Sequence, residues 1–134
     1  MRVVLDTNVL ISGIFFHGVP GKILDAWVDG RFFIYATRSI LEEYGVVIML
    51  TAGREELLGM EWFETILRLC HIVPDPVKVV SYTRDPKDDK FISCALDAKA
   101  DYLVSGDKDI LSITGSFPFE VVSPAKFLSR LIKK

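Results

Sequence analysis

The sequence predicts an α/β fold, a three-layer α/β/α arrangement around a central parallel sheet, spanning residues 1–134 as a single domain. Three observations predict it. Short apolar runs alternate along the chain with stretches of helical spacing, the pattern of parallel strands joined by crossover helices. Half of the 134 residues are hydrophobic and a quarter are charged, enough for one packed core. No repeat, low-complexity stretch or linker divides the chain.

Val3-Val4-Leu5 is read as a buried strand ending at Asp6. Val9, Leu10, Ile11, Ile14 and Phe15 follow at near-helical spacing, with Thr7 or Asn8 as the expected cap. Pro20 suits the first turn of a helix carrying Ile23, Leu24, Trp27 and Val28, which Gly30 ends. Phe32 to Ala36 is the second strand. Ser39 is expected to open the next helix, with Glu42 completing a capping box and Gly45 weakening its second half. Arg54 to Leu69 reads as a strongly amphipathic helix. Pro74 and Pro76 punctuate a connection, and 77–82 reads as a short strand or extended segment. Asp85 to Asp89 lead into a helix with Phe91, Ile92, Ala95 and Leu96 inward. Tyr102 to Ser105 is a further strand, Ile110-Leu111 a short turn, and Val121-Val122 the last strand. Ser123-Pro124 start a final helix, with Lys133-Lys134 at its negative end.

Composition narrows the function classes. No apolar run approaches the ~20 residues that span a bilayer, and Asp6 stands where a signal peptide would be apolar. A soluble, cytoplasmic protein is expected. Cys70 and Cys94 have no metal-ligand spacing and are read as reduced core thiols, and His17 as a loop residue. The formal net charge of −2 offers no general attraction to nucleic acid.

The acidic residues carry the functional signal. In open parallel sheets the site lies at the carboxyl ends of the strands. Asp6 ends the first strand, Asp107 follows the Tyr102 strand, Glu43 lies early in the helix after the second strand, and Asp88 and Asp89 begin another helix. Crossover helices start at that same edge, so these carboxylates converge. Asp88 is assigned to helix capping, and Asp85 and Asp101 to turns. Two carboxylates ~4 Å apart repel by about 4 kcal/mol at an effective dielectric of 20, and no positive side chain is evident among them in the sequence. A divalent cation held by carboxylates and water would neutralise the set, and Mg²⁺ or Mn²⁺ prefers that chemistry. Such a site suits hydrolysis of a phosphodiester. A Walker loop, G-x-S-x-G and H-E-x-x-H are absent from the sequence.

At these residues the sequence resembles the PIN domain family, which includes VapC-type toxins and RNA-processing nucleases. Val-Val-Leu-Asp6-Thr-Asn8-Val-Leu resembles the family's first motif and Ser39-Ile-Leu-Glu-Glu43-Tyr its second. Asp85-Pro-Lys-Asp-Asp-Lys-Phe-Ile-Ser-Cys-Ala95 resembles the third, and Ala100-Asp-Tyr-Leu-Val-Ser-Gly-Asp107-Lys-Asp109-Ile-Leu the fourth. The resemblance implies a PIN-like parallel sheet between helices, bound Mg²⁺ or Mn²⁺, and ribonuclease action on single-stranded RNA. It implies Asp6, Glu43, Asp89 and Asp107 as metal ligands or positioners of the attacking water. Asp89 is preferred to Asp88 because the family's acidic residue typically stands three before a buried aliphatic, here Ile92. The resemblance also implies Asp109 as a secondary acidic position that would reach the metal through water. Asn8 and Ser105 match small polar positions that would hold ligand carboxylates by hydrogen bonds.

The chain departs from the family after Glu43, where Gly45-Val-Val-Ile-Met-Leu replaces a charged segment; this run is read as core rather than a dimer face. A small antitoxin and a second copy of the chain are the expected protein partners. The competing readings are a catalytically inactive PIN-like RNA-binding or interaction subunit and a phosphoacceptor receiver domain. Setting aside Asp6, Glu43, Asp89, Asp107 and Asp109 turns the net charge from −2 to +3, so the acidic balance belongs to one pocket and an RNA partner fits the rest.

Overall fold

Five strands form one parallel sheet in the order β3-β2-β1-β4-β5. They are β1 (Arg2–Leu5), β2 (Phe33–Thr37), β3 (His71–Val73), β4 (Tyr102–Val104) and β5 (Glu120–Val122). The helices are α1 (Thr7–Phe15), α2 (Gly18–Val28), α3 (Arg38–Ala52), α4 (Glu56–Leu69), α5 (Pro86–Asp97), α6 (Lys108–Leu111) and α7 (Pro124–Ile132). This computed structural model describes residues 1–77, 81–82, 85–113 and 117–132. Residues 78–80 of the segment expected over 77–82, and Lys133-Lys134, lie outside the described residues.

The architecture is the expected three-layer α/β/α. Central β1 pairs with β2 (Val3 opposite Ile34) and with β4 (Val4 opposite Leu103), and β4 pairs with β5 (Leu103 opposite Val121). Val3, Val4 and Leu5 are fully buried, as a strand covered on both faces requires. Strand β3, which the sequence reading missed, adds to the β2 edge (Ala36 opposite Ile72). His71 and Ile72 on it are exposed, so it lacks the apolar run that marks a central strand. His71 stacks on Tyr35, ring centroids 4.8 Å apart.

Helix starts differ from the sequence reading at three places. Asp6, not Thr7 or Asn8, occupies the position before α1. Thr37 caps α3 by accepting the Ile40 N–H at 3.2 Å, so Ser39 lies inside the helix and no Ser39–Glu42 capping box forms. Exposed Glu42 instead faces Arg38 at 3.9 Å. Asp85 caps α5 by accepting the Lys87 N–H at 3.0 Å, which relieves Asp88 of that role. The last helix starts as expected: Ser123 Oγ accepts the Lys126 N–H at 3.2 Å, ahead of Pro124.

Gly45 does not end α3. A Cβ there would stand 2.8 Å from Phe63 Cζ, so the glycine lets α4 approach, and that packing carries α3 on to Ala52. The apolar run is core on one face only. Tyr44, Gly45, Ile48 and Ala52 are buried, whereas Val46, Met49 and Leu50 are exposed, Leu50 at 80%. Helix α4 is likewise less buried than its periodicity suggests, with Leu57, Met60 and Leu67 exposed. Among the described residues no single helix is long and apolar enough to cross a membrane. Cys70 and Cys94 are free thiols, each pushed up to about 12 chiefly by burial.

Candidate active site

Strand β1 delivers Asp6 to the carboxyl edge of the sheet. The Asp6 N–H donates to the Val104 carbonyl at 2.9 Å, extending the β1–β4 ladder by one residue. Ser105, fully buried just past β4, donates its hydroxyl to Asp6 Oδ2 at 2.8 Å. The same oxygen of Ser105 accepts the Asp107 N–H at 3.0 Å. Asp107 then caps α6 by accepting the Asp109 N–H at 2.7 Å. One hydroxyl thus fixes the carboxylates that follow the two central strands.

Asp88 completes the group from the first turn of α5. Its Oδ2 is buried and, among the described residues, has no hydrogen-bond partner; the residue is 9% exposed. Burial, then repulsion from Asp107, Asp85, Asp6 and Asp109, pushes its carboxyl up to about 6. Asp6 is also raised, first by burial and then by Asp107, against the lowering hydrogen bonds from Ser105 and from the backbone of Asn8 and Thr7. Asp6 and Asp88 are both harder to ionise beside Asp107, a cost that a cation would relieve.

The position preferred by sequence, Asp89, points elsewhere. Its Oδ1 accepts the Tyr82 N–H at 3.0 Å, and it lines a neighbouring cleft of about 210 Å³ with Thr37, Ser39, Asp75 and Lys90. Adjacent residues on a helix face directions about 100° apart, so Asp88 and Asp89 present their carboxylates to different surroundings. A spacing rule counted from Ile92 does not fix that phase.

Glu43 is at the same edge but not open. Lys90 Nζ stands 2.5 Å from its Oε1, and Thr7 donates its hydroxyl to Oε2. The pairing of Lys90 with Glu43 is not legible in the sequence, because the two belong to different helices. Asn8 is exposed and serves Asp6 through its backbone, whereas Ser105 does so through its side chain. Tyr44 braces the floor of the site, donating its hydroxyl to the Leu5 carbonyl at 2.5 Å.

The donor set fits a hard divalent cation: all the groups are carboxylates, and one buried oxygen among them has no hydrogen-bond partner among the described residues. Among the described residues, no three acidic, imidazole or thiol side chains stand close enough to grip an ion as they are placed. Ligation would draw Asp6, Asp88 and Asp107 inward.

The fold and this acidic edge define a class before any comparison is made, an α/β protein with a carboxylate site at its strand ends. The chain belongs to the PIN domain family, whose model matches residues 2–109. PIN domains are generally nucleases. The chain is 35% identical over 120 residues to the uncharacterized protein MJ1680 of Methanocaldococcus jannaschii, covering 84% of this chain and 75% of that one. Its fold is similar to VapBC2 from Rickettsia felis, solved bound to a DNA fragment from their promoter, with TM-score 0.65 and 16% identity, over 92% of this chain and 98% of that one. It is also similar to PAE2754 from Pyrobaculum aerophilum, with TM-score 0.65 and 14% identity, over 99% of this chain and 90% of that one.

Proposed function

We propose that this protein is a Mg²⁺- or Mn²⁺-dependent endoribonuclease, the toxin of a VapBC-type toxin–antitoxin pair. The observation that carries the reading is the buried Oδ2 of Asp88, which has no hydrogen-bond partner among the described residues and lies within electrostatic reach of Asp107 and Asp6. Asp6, Asp88 and Asp107 would hold the cation, with Asp109 behind them. When bound, it supplies Lewis-acid polarisation of a phosphodiester and acidifies water. Ser105 keeps Asp6 ionised and aimed, and Glu43 stands beside the group to orient water or complete the ligand set. In this reading Asp88 takes the role the sequence assigned to Asp89, because Asp89 is turned to Tyr82.

An antitoxin partner is proposed from the likeness to the VapBC2 fold. A homodimer through α3 is proposed from exposed Val46, Met49 and Leu50; Leu50→Asp should then shift the chain to monomer in light scattering. The two free thiols suit a reducing cytoplasm. The phosphoacceptor reading drops out with membership of the PIN family. The inactive-subunit reading draws on the engagement of Glu43 by Lys90 and Thr7.

Incubation of the purified protein with single-stranded RNA separates these outcomes. Cleavage that needs Mg²⁺ or Mn²⁺ and stops with chelator supports the nuclease. RNA binding without cleavage, at any divalent-ion concentration, supports the inactive subunit.

A further inference from the structure

Glu43 comes from α3 and Lys90 from α5, yet their charged atoms stand 2.5 Å apart. Thr7, from α1, takes the other carboxylate oxygen. The pair is not a casual surface contact. Lys90 and Glu43 side chains are 30% and 27% exposed, and Lys90 lies on the first turns of α5 that also carry Asp88. Charge at the edge is therefore divided. Asp6, Asp88 and Asp107 repel one another, and an Asp88 oxygen is buried with no hydrogen-bond partner among the described residues, while Glu43 carries its own cation.

We propose that Lys90 is an internal counter-ion that competes with the divalent cation for Glu43 and so sets the metal affinity of the site. This rests on the metal-site reading above. With Lys90 in place, the fourth carboxylate joins the metal only after a short charge-assisted bond is broken. The ammonium also repels any dication bound at the neighbouring aspartates, through an interior that screens charge less well than water. Lys90 would thereby keep the metal-free site from holding a further uncompensated carboxylate, at the expense of weaker binding. Asp6, Asp88 and Asp107 would make the primary attachment, and Glu43 would be recruited second.

The test is Mn²⁺ titration of the purified protein, read by calorimetry and by the Mn²⁺ paramagnetic resonance signal, with no RNA present. Lys90→Met should bind Mn²⁺ about tenfold more tightly than wild type, since a repelling charge and a competing bond are both removed. Lys90→Gln should behave similarly, which guards against a packing fault in either variant. Lys90→Arg, which keeps the charge, should stay near wild type. In the absence of metal the Met variant should melt lower than wild type and gain more on adding Mn²⁺. Unchanged or weaker Mn²⁺ affinity in both neutral variants overturns the proposal while leaving the metal site standing. A wild-type protein that binds no Mn²⁺ overturns the metal reading itself, and the role of Lys90 with it.

Discussion

The Ser105 hydroxyl donates to Asp6 Oδ2 at 2.8 Å in a fully buried setting, and the same atom accepts the Asp107 N–H at 3.0 Å. That single oxygen ties the carboxylate after β1 to the one after β4. Ser105→Ala should cost about 1–2 kcal/mol, because it leaves a buried carboxylate oxygen and an amide without their partner. Since this bond lowers the Asp6 pKa, its loss should raise it, so metal binding should weaken most at acidic pH. Urea unfolding and Mn²⁺ titration at two pH values measure both effects; unchanged stability would show that the hydroxyl does not brace the site.

Asp88 and Asp89 should part company on mutation. Asp88→Asn should abolish Mn²⁺-stimulated RNA cleavage, because it removes the carboxylate facing Asp6 and Asp107. Asp89→Asn should retain most activity and lose stability instead, through its bond to the Tyr82 N–H. Cleavage assays paired with thermal melts distinguish the two. The reverse ranking would restore the assignment made from sequence spacing.

Metal-free stability should fall as pH rises. Asp88 has an ordinary value of 3.8 that the fold raises to about 6. The native state therefore holds a proton that the unfolded state releases first, and the favourable contribution is complete below about 4 and lost as pH climbs through 6. Asp6 shifts in the same direction. A decline of about 1–3 kcal/mol between pH 4 and 7 is expected in chelator, flattened in Asp88→Asn and reversed by Mn²⁺. Denaturant melts across that range read it directly, and a metal-free stability that rises with pH would contradict it.

The fold that presents the site depends on close helix contacts. At Gly13 in α1 an added Cβ would meet Leu24 Cδ1 at 2.6 Å and the Pro20 carbonyl oxygen at 2.8 Å. The second contact is backbone and cannot swing aside. Gly13→Ala should therefore destabilise by about 1–3 kcal/mol despite its better helix propensity. A melting temperature equal to wild type would mean that α1 and α2 can separate at little cost.

Legibility in the sequence followed how local each signal was. Val3-Val4-Leu5, the Tyr102 strand and the Ser123-Pro124 start carry their patterns within a few residues, and all were read. Strand β3 was not, because three edge residues with His71 and Ile72 exposed show no run of burial. Continuation of α3 past Gly45 depends on Phe63 of another helix. The carboxylate edge was legible because parallel topology alone brings strand ends and helix starts together. What topology leaves open is the rotation of each helix. That rotation separates the surroundings of Asp88 from those of Asp89, and it places Lys90 on Glu43.

The central claim is that Asp6 and Asp107 hold the cation for phosphodiester cleavage. The most direct measurement compares Mn²⁺-dependent cleavage of single-stranded RNA by wild type, Asp6→Asn and Asp107→Asn, each shown to be folded by circular dichroism. Wild type should cleave, and each variant should lose at least about a hundredfold in rate. Undiminished cleavage by both folded variants would contradict that claim.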